Sequence, residues 1–156
     1  MFQSLKAVLV AGVVFTTLNA GATPAGGKFD NTHSGWIYSF GWSLASGTGY
    51  EGAFNGNLHL TQTAGAVATF TCENTLVFDF AYSMAPNRGK FELFVNGQSR
   101  GVFDAYSPTV QRQVFALGGG YYVSPAQNIT VTIKSLGTAN AASTGTFVDV
   151  DYVECY

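Results

Sequence analysis

A chain of 156 residues is sized for one domain that buries about two thirds of its unfolded surface. Only 10% of residues are charged against 15% aromatic, with 19 glycines, a balance that sets aside disorder and describes a β-rich domain with a polar, weakly charged surface. The net charge of −2 and only seven Lys and Arg, scattered singly, exclude a nucleic-acid footprint and a basic membrane-surface patch.

Residues 1–22 open with a positive charge at Lys6, continue as an apolar run from Ala7 to Leu18 and end in small residues at Ala20 and Ala22. That order is the secretory signal pattern, and the run is too short to span a bilayer. Val8, Val10, Val13, Val14 and Phe15 also form strands readily, so the same segment reads alternatively as a retained apolar arm that docks on a neighbouring subunit. Residues 23–30, beginning Thr23-Pro24-Ala25-Gly26-Gly27-Lys28, read as a linker, and residues 31–156 as the folded module.

Within the module, Trp36 to Phe40 alternates large and smaller residues and predicts a first strand, while Ser43 to Gly56 has the Gly, Ser and Asn content of a loop. Leu58 to Thr61 and Ala66 to Cys72 follow as strands, the second with Ala66, Ala68, Phe70 and Cys72 on one face. Leu76 to Tyr82 is a further strand. Phe91 to Val95 and Gly101 to Phe103 flank Asn96-Gly97, which predicts a type I′ hairpin because both central residues need positive φ. Gln113 to Leu117 is another strand, and Gly118-Gly119-Gly120 breaks the chain. In Asn128 to Lys134 the Ile and Val positions face inward. Gly137 to Gly145 is a polar loop, and Thr146 to Tyr156 closes the module. About eight or nine short strands with frequent turns predict an all-β antiparallel sandwich of jelly-roll type.

Chemistry-bearing motifs are sparse. Neither His33 nor His59 sits in a nucleophile elbow or an H-E-x-x-H sequence, so triad and metalloprotease chemistry have no foothold, and no catalytic residue is assigned. Asp149 and Asp151 lie two apart on a predicted strand and share a face, which suits a ligand pair or a polar sheet face better than two opposed catalysts. Sugar binding needs flat aromatic faces beside planar hydrogen-bonding groups. Trp42, Tyr50, Tyr82, Arg88, Tyr106, Tyr121 and Tyr122 supply these at expected strand ends and loops, and Tyr121-Tyr122 also suits an interface with another subunit. Cys72 and Cys155 are the two cysteines. In an exported chain a bridge between them would close a loop of about 83 residues and stabilise the fold by about 4–5 kcal/mol in the chain-entropy model. In a reducing compartment both would be buried thiols.

An ordered set of segments carries a family likeness. Gly41-Trp42, Ala64-Gly65-Ala66 with Thr69-Phe70-Thr71, Pro86-Asn87-Arg88-Gly89 and Val95-Asn96-Gly97 open it. Phe103 to Pro108, Val114-Phe115, Asn140 to Ser143, Gly145 and Val148 to Glu154 complete it. Over Asn31 to Glu154 the chain resembles the galactose-binding-like jelly-roll modules, of carbohydrate-binding-module type, appended to bacterial secreted glycoside hydrolases and surface proteins. The resemblance implies a structural Ca²⁺ where the last strand meets the N-terminal segment, with Asp30, Asp149 and Asp151 as hard oxygen donors. The residues alone describe instead a solvated acidic strand face opposite Val148, Val150 and Tyr152.

The expectation is therefore a non-catalytic, surface-exposed module that binds a glycan or cell-surface polysaccharide, or mediates adhesion, outside the cell. The alternative is a structural subunit, such as a phage virion decoration or fibre protein or an extracellular filament subunit, partnered with itself or other subunits through its N-terminal arm.

Overall fold

The computed structural model describes residues 26–156, so the signal-peptide and assembly-arm readings of residues 1–22 lie outside the described residues. The described chain is built from strands β1 (Gly27–Asp30), β2 (Ile37–Tyr38), β3 (Ser43–Ser46), β4 (Asn57–Thr61), β5 (Val67–Met84) and β6 (Gly89–Val95). It continues through β7 (Gln98–Asp104), β8 (Gln111–Phe115), β9 (Tyr121–Ala139), β10 (Val148–Val150) and β11 (Tyr152–Cys155). All named strand pairs are antiparallel, and together they form a β-sandwich.

Two long strands make the layers. The first half of β5 pairs Val67–Cys72 with β9 and carries β2 on its other side. Asn74, at φ 45°, then shifts the register, and the second half of β5 pairs with β11 and β8. The two strands expected at Ala66 to Cys72 and Leu76 to Tyr82 are thus one continuous strand with an irregularity, the usual way a sheet bends over a core. Alternation puts Ala68, Phe70 and Cys72 inside from the first half and Phe78, Phe80 and Tyr82 from the second. Across the core, the Phe91 ring of β6 meets Phe80 at 5.9 Å and Tyr82 at 5.0 Å, both edge-on. Ile129, Val131 and Ile133 of β9 fill the remaining interior. On the outer side, Thr69 with Thr132 and Thr71 with Thr130 form hydroxyl pairs across the strands, at 3.2 and 3.0 Å.

The β6–β7 hairpin turns at Asn96 (φ 49°) and Gly97 (φ 76°), the positive pair that the type I′ turn demands. Asn96 Oδ1 also accepts the Thr130 N–H at 2.7 Å, which ties the hairpin tip to β9.

A three-stranded sheet, β10-β4-β3, stands beside the main one and packs around Leu58, Leu60 and Ala53. Ser43–Ser46 therefore belongs to a strand inside the segment expected to be a loop, and Gly27–Asp30 pairs with β11 inside the expected linker. The closing segment is two strands. β10 pairs with β4, whereas β11 pairs with β1 and β5, and the chain changes sheets at Asp151. A disulfide joins Cys72 to Cys155, with Cα atoms 5.6 Å apart, and fastens the end of β11 to the first half of β5.

Candidate functional site

The loops at one end of the sandwich enclose an open groove of about 430 Å³. One wall is the loop after β3, held by tight turns at Gly47 and Gly49, whose φ values of 90° and 96° suit residues without a Cβ. This wall presents Thr48 and Tyr50. The opposite wall is the β5–β6 connection, with Pro86, Asn87 and Arg88, backed by Thr144 from the β9–β10 loop. Ser143 Oγ lies 2.8 Å from the Arg88 carbonyl and 3.1 Å from that of Pro86, and the Thr144 N–H donates to the Pro86 carbonyl at 2.9 Å, so these two loops are tied together. The floor comes from Val110 and Arg112 at the start of β8.

Charge beneath the groove is organised by Arg88. Its Nε donates to Asp149 Oδ2 at 2.6 Å, and Nη1 donates to Asn87 Oδ1 at 2.8 Å. Asp149 Oδ1 takes the Ser83 N–H at 2.7 Å. Burial pushes the Asp149 carboxyl up from its ordinary value, opposed by the Arg88 charge and the Ser83 N–H. Arg112 lies over Tyr50, its guanidinium carbon 5.5 Å from the ring centroid, and Nη2 donates to the Gly49 carbonyl at 2.7 Å. Nη1 of Arg112 is buried and has no acceptor.

Of the residues expected to touch a ligand, the fold brings Tyr50 and Arg88 together here. The others are elsewhere. Tyr82 is only 5% exposed and belongs to the core between Phe80 and Phe91, because it shares the parity of Phe78 and Phe80 along β5. Trp42 is half-buried against Tyr38. Tyr106 is half-buried beside Ala85 at an isolated bridge. Tyr121 packs on Phe78, and its hydroxyl accepts from Arg100 Nη2 at 2.7 Å. Its neighbour Tyr122 points the other way and is 71% exposed. Arg112, Thr48 and Thr144 were not singled out in the sequence, and Asn87 entered only through the family likeness, not as a ligand contact. Arg112 sits in the polar stretch Gln111-Arg112-Gln113 at the edge of the strand expected from Gln113, and nothing local says that this end meets two distant loops.

The three carboxylates proposed for calcium do not assemble. Among the described residues no three His, Cys, Asp or Glu side chains come together as a cation site. Asp149 holds Arg88, Asp151 Oδ1 accepts the Phe54 N–H at 2.8 Å, and Asp30 Oδ2 accepts from Thr32 Oγ1 at 2.5 Å. Asp149 and Asp151 are also not a solvated face, since both are buried where the chain changes sheets. Burial pushes the Asp151 carboxyl up to about 7, with the Phe54 N–H opposing and the charges of Asp149 and Asp30 adding. His59 is packed rather than free. It stacks on Tyr38 at 4.2 Å with Nδ1 2.7 Å from Asn31 Oδ1, and burial lowers its pKa.

A second depression, of about 520 Å³, opens beside Phe115, Tyr156 and the triglycine loop. Asp79 organises it by accepting N–H groups from Phe80 at 2.8 Å and from Leu117 at 3.4 Å, with Gly119 and Gly120 also donating.

No protein-family model matches the chain, and no curated protein matches it. Solved structures do. The fold is similar to part of a Paenibacillus xanthan lyase (TM-score 0.57, 14% identity, 76% of this chain and 12% of that one). It is also similar to part of a two-domain esterase active on acetylated mannans (TM-score 0.60, 10% identity, 84% of this chain and 36% of that one). A third likeness is to an exo-beta-1,3-galactanase from Phanerochaete chrysosporium (TM-score 0.50, 19% identity, 85% of this chain and 29% of that one). The chain spans little more than a third of the esterase and less of the other two. At these identities the likeness is one of fold: a β-sandwich that recurs within glycan-active proteins.

Proposed function

We propose that this chain is a non-catalytic carbohydrate-binding module that holds a glycan in the groove between Tyr50 and Arg88, displayed outside the cell. The observation that carries the reading is the groove's make-up. One aromatic ring, the Arg112 guanidinium, an amide and two threonine hydroxyls converge from four segments above the buried Arg88, a set that stacks on a pyranose face and hydrogen-bonds its hydroxyls. Among the described residues no carboxylate, imidazole or thiol lines this groove, which supports gripping over turnover. The fold-level likeness to parts of glycan-active proteins supports a carbohydrate partner, and the Cys72–Cys155 bridge supports an oxidising compartment.

Affinity electrophoresis of the purified chain against a panel of polysaccharides tests this. Retention by at least one polysaccharide is expected, with loss of retention in Tyr50→Ala. A chain that no polysaccharide retains, and that elutes as a defined oligomer, would replace this reading with that of an assembly subunit.

A further inference from the structure

The charge balance in the groove narrows the ligand class, and this step rests on the proposed glycan-binding role. Arg88 is already answered, since Asp149 receives its Nε at 2.6 Å and both side chains are buried. Arg112 is not. It takes part in no ion pair among the described residues, and its one hydrogen bond is to the neutral Gly49 carbonyl. A guanidinium carries five N–H donors in a planar fork that fits an oxyanion, and Arg112 borders the groove while its Nη1 is buried without a partner.

The surroundings offset that charge only from a distance, since Asp149 and Asp151 attract it but neither lies within ion-pair distance. No acid lines the groove among the described residues. Glu51, in the adjoining loop, turns its Oε2 onto the Gly49 N–H at 2.8 Å. Asp149 lies beneath and is held by Arg88 and Ser83. Asp151 accepts the Phe54 N–H at 2.8 Å, and burial raises its carboxyl while the Arg112 charge draws it back. Partial desolvation strengthens attraction to an incoming anion, which pairs with the guanidinium directly where a neutral sugar does not.

We infer that the groove selects glycans bearing an oxyanion, a uronate carboxylate or a sulfate ester, placed against the Arg112 guanidinium while a ring stacks on Tyr50.

Retention is measured against polygalacturonate, alginate and a sulfated galactan on one side, and against neutral galactan, mannan and laminarin on the other. Preferential retention by an anionic polymer is expected, weakening by about tenfold or more in Arg112→Gln and less in Arg112→Lys. Which polymers retain the chain separates carboxylate from sulfate. Because Arg112 also supports the Gly49 turn, a second variant is needed. Val110 is 57% exposed at the groove, and Val110→Asp adds a negative charge there without touching the core. It is expected to weaken anionic binding severalfold, and raised salt is expected to weaken wild-type binding. Retention by neutral polymers that Arg112→Gln and Val110→Asp leave unchanged would overturn the inference and leave the glycan-binding role intact. Retention by none of the six would remove both.

Discussion

Arg88 and Asp149 form a buried ion pair, Nε to Oδ2 at 2.6 Å, that fixes one wall of the groove to β10. The side chains retain 5% and 0% of their exposure, so neither can turn to water if its partner is lost. The pair also receives the Ser83 N–H, which links the end of β5 to the same carboxylate.

Removing one member should therefore be severe. Asp149→Ala is expected to cost about 3–5 kcal/mol, since it strands a guanidinium in the interior. Urea unfolding of the variant beside wild type checks this. A loss below about 1 kcal/mol would mean that water reaches the site.

Gly89, the first residue of β6, has no room for a side chain. A Cβ there would stand 2.6 Å from the Thr146 carbonyl oxygen and 2.8 Å from that of Thr138. Gly89→Ala is expected to destabilise by about 1–3 kcal/mol or more, because backbone on both sides must move. Its melting temperature relative to Gly97→Ala is informative. Gly97 has open space and only its positive φ to satisfy, so similar losses would point to backbone conformation and not to crowding.

Asp151 gives the fold a pH dependence. Its carboxyl titrates at an ordinary 3.8 when unfolded and at about 7 when folded, so between these values the native state holds the extra proton. The contribution is complete below the lower value and is lost as pH rises through the upper one. Asp151→Asn keeps a neutral group at every pH. Its stability relative to wild type is expected to rise by about 1–2 kcal/mol from pH 5 to pH 8, after allowing for screening. A difference that stays flat across that range would show Asp151 ionised throughout.

The Cys72–Cys155 bridge closes 83 residues of chain. Replacing both residues by Ala is expected to lower stability by about 4–5 kcal/mol in the chain-entropy model. Calorimetry of the double variant under non-reducing conditions checks it, and a loss under about 1 kcal/mol would place most of the restraint in the strand pairing itself.

Much of this architecture is legible in single side chains. Asn96-Gly97 states its turn, and Ile129, Val131 and Ile133 state their inward face, because both signals are local. Tyr82 was legible too, since it continues the parity of Phe78 and Phe80, but its hydroxyl and its place near a strand end suggested a surface role. The acids were not legible. A pair two apart on one strand reads as a shared face, whereas Asp151 lies where the chain leaves one sheet for the other. Their partners are also remote. Arg88 is 61 residues from Asp149, and Phe54 is 97 from Asp151. The same holds for the groove, whose walls come from loops that only the folded topology brings to one end. A strand-borne arginine such as Arg112 carries no local mark of that meeting.

The glycan groove is tested most directly by mapping amide chemical-shift changes on the folded chain as a retained oligosaccharide is added. Changes should concentrate at Thr48 to Tyr50, Pro86 to Arg88, Val110 to Arg112 and Thr144, and should vanish in Tyr50→Ala. Changes confined to Gly118 to Tyr122 and Tyr156, with this end of the sandwich silent, would contradict the assignment.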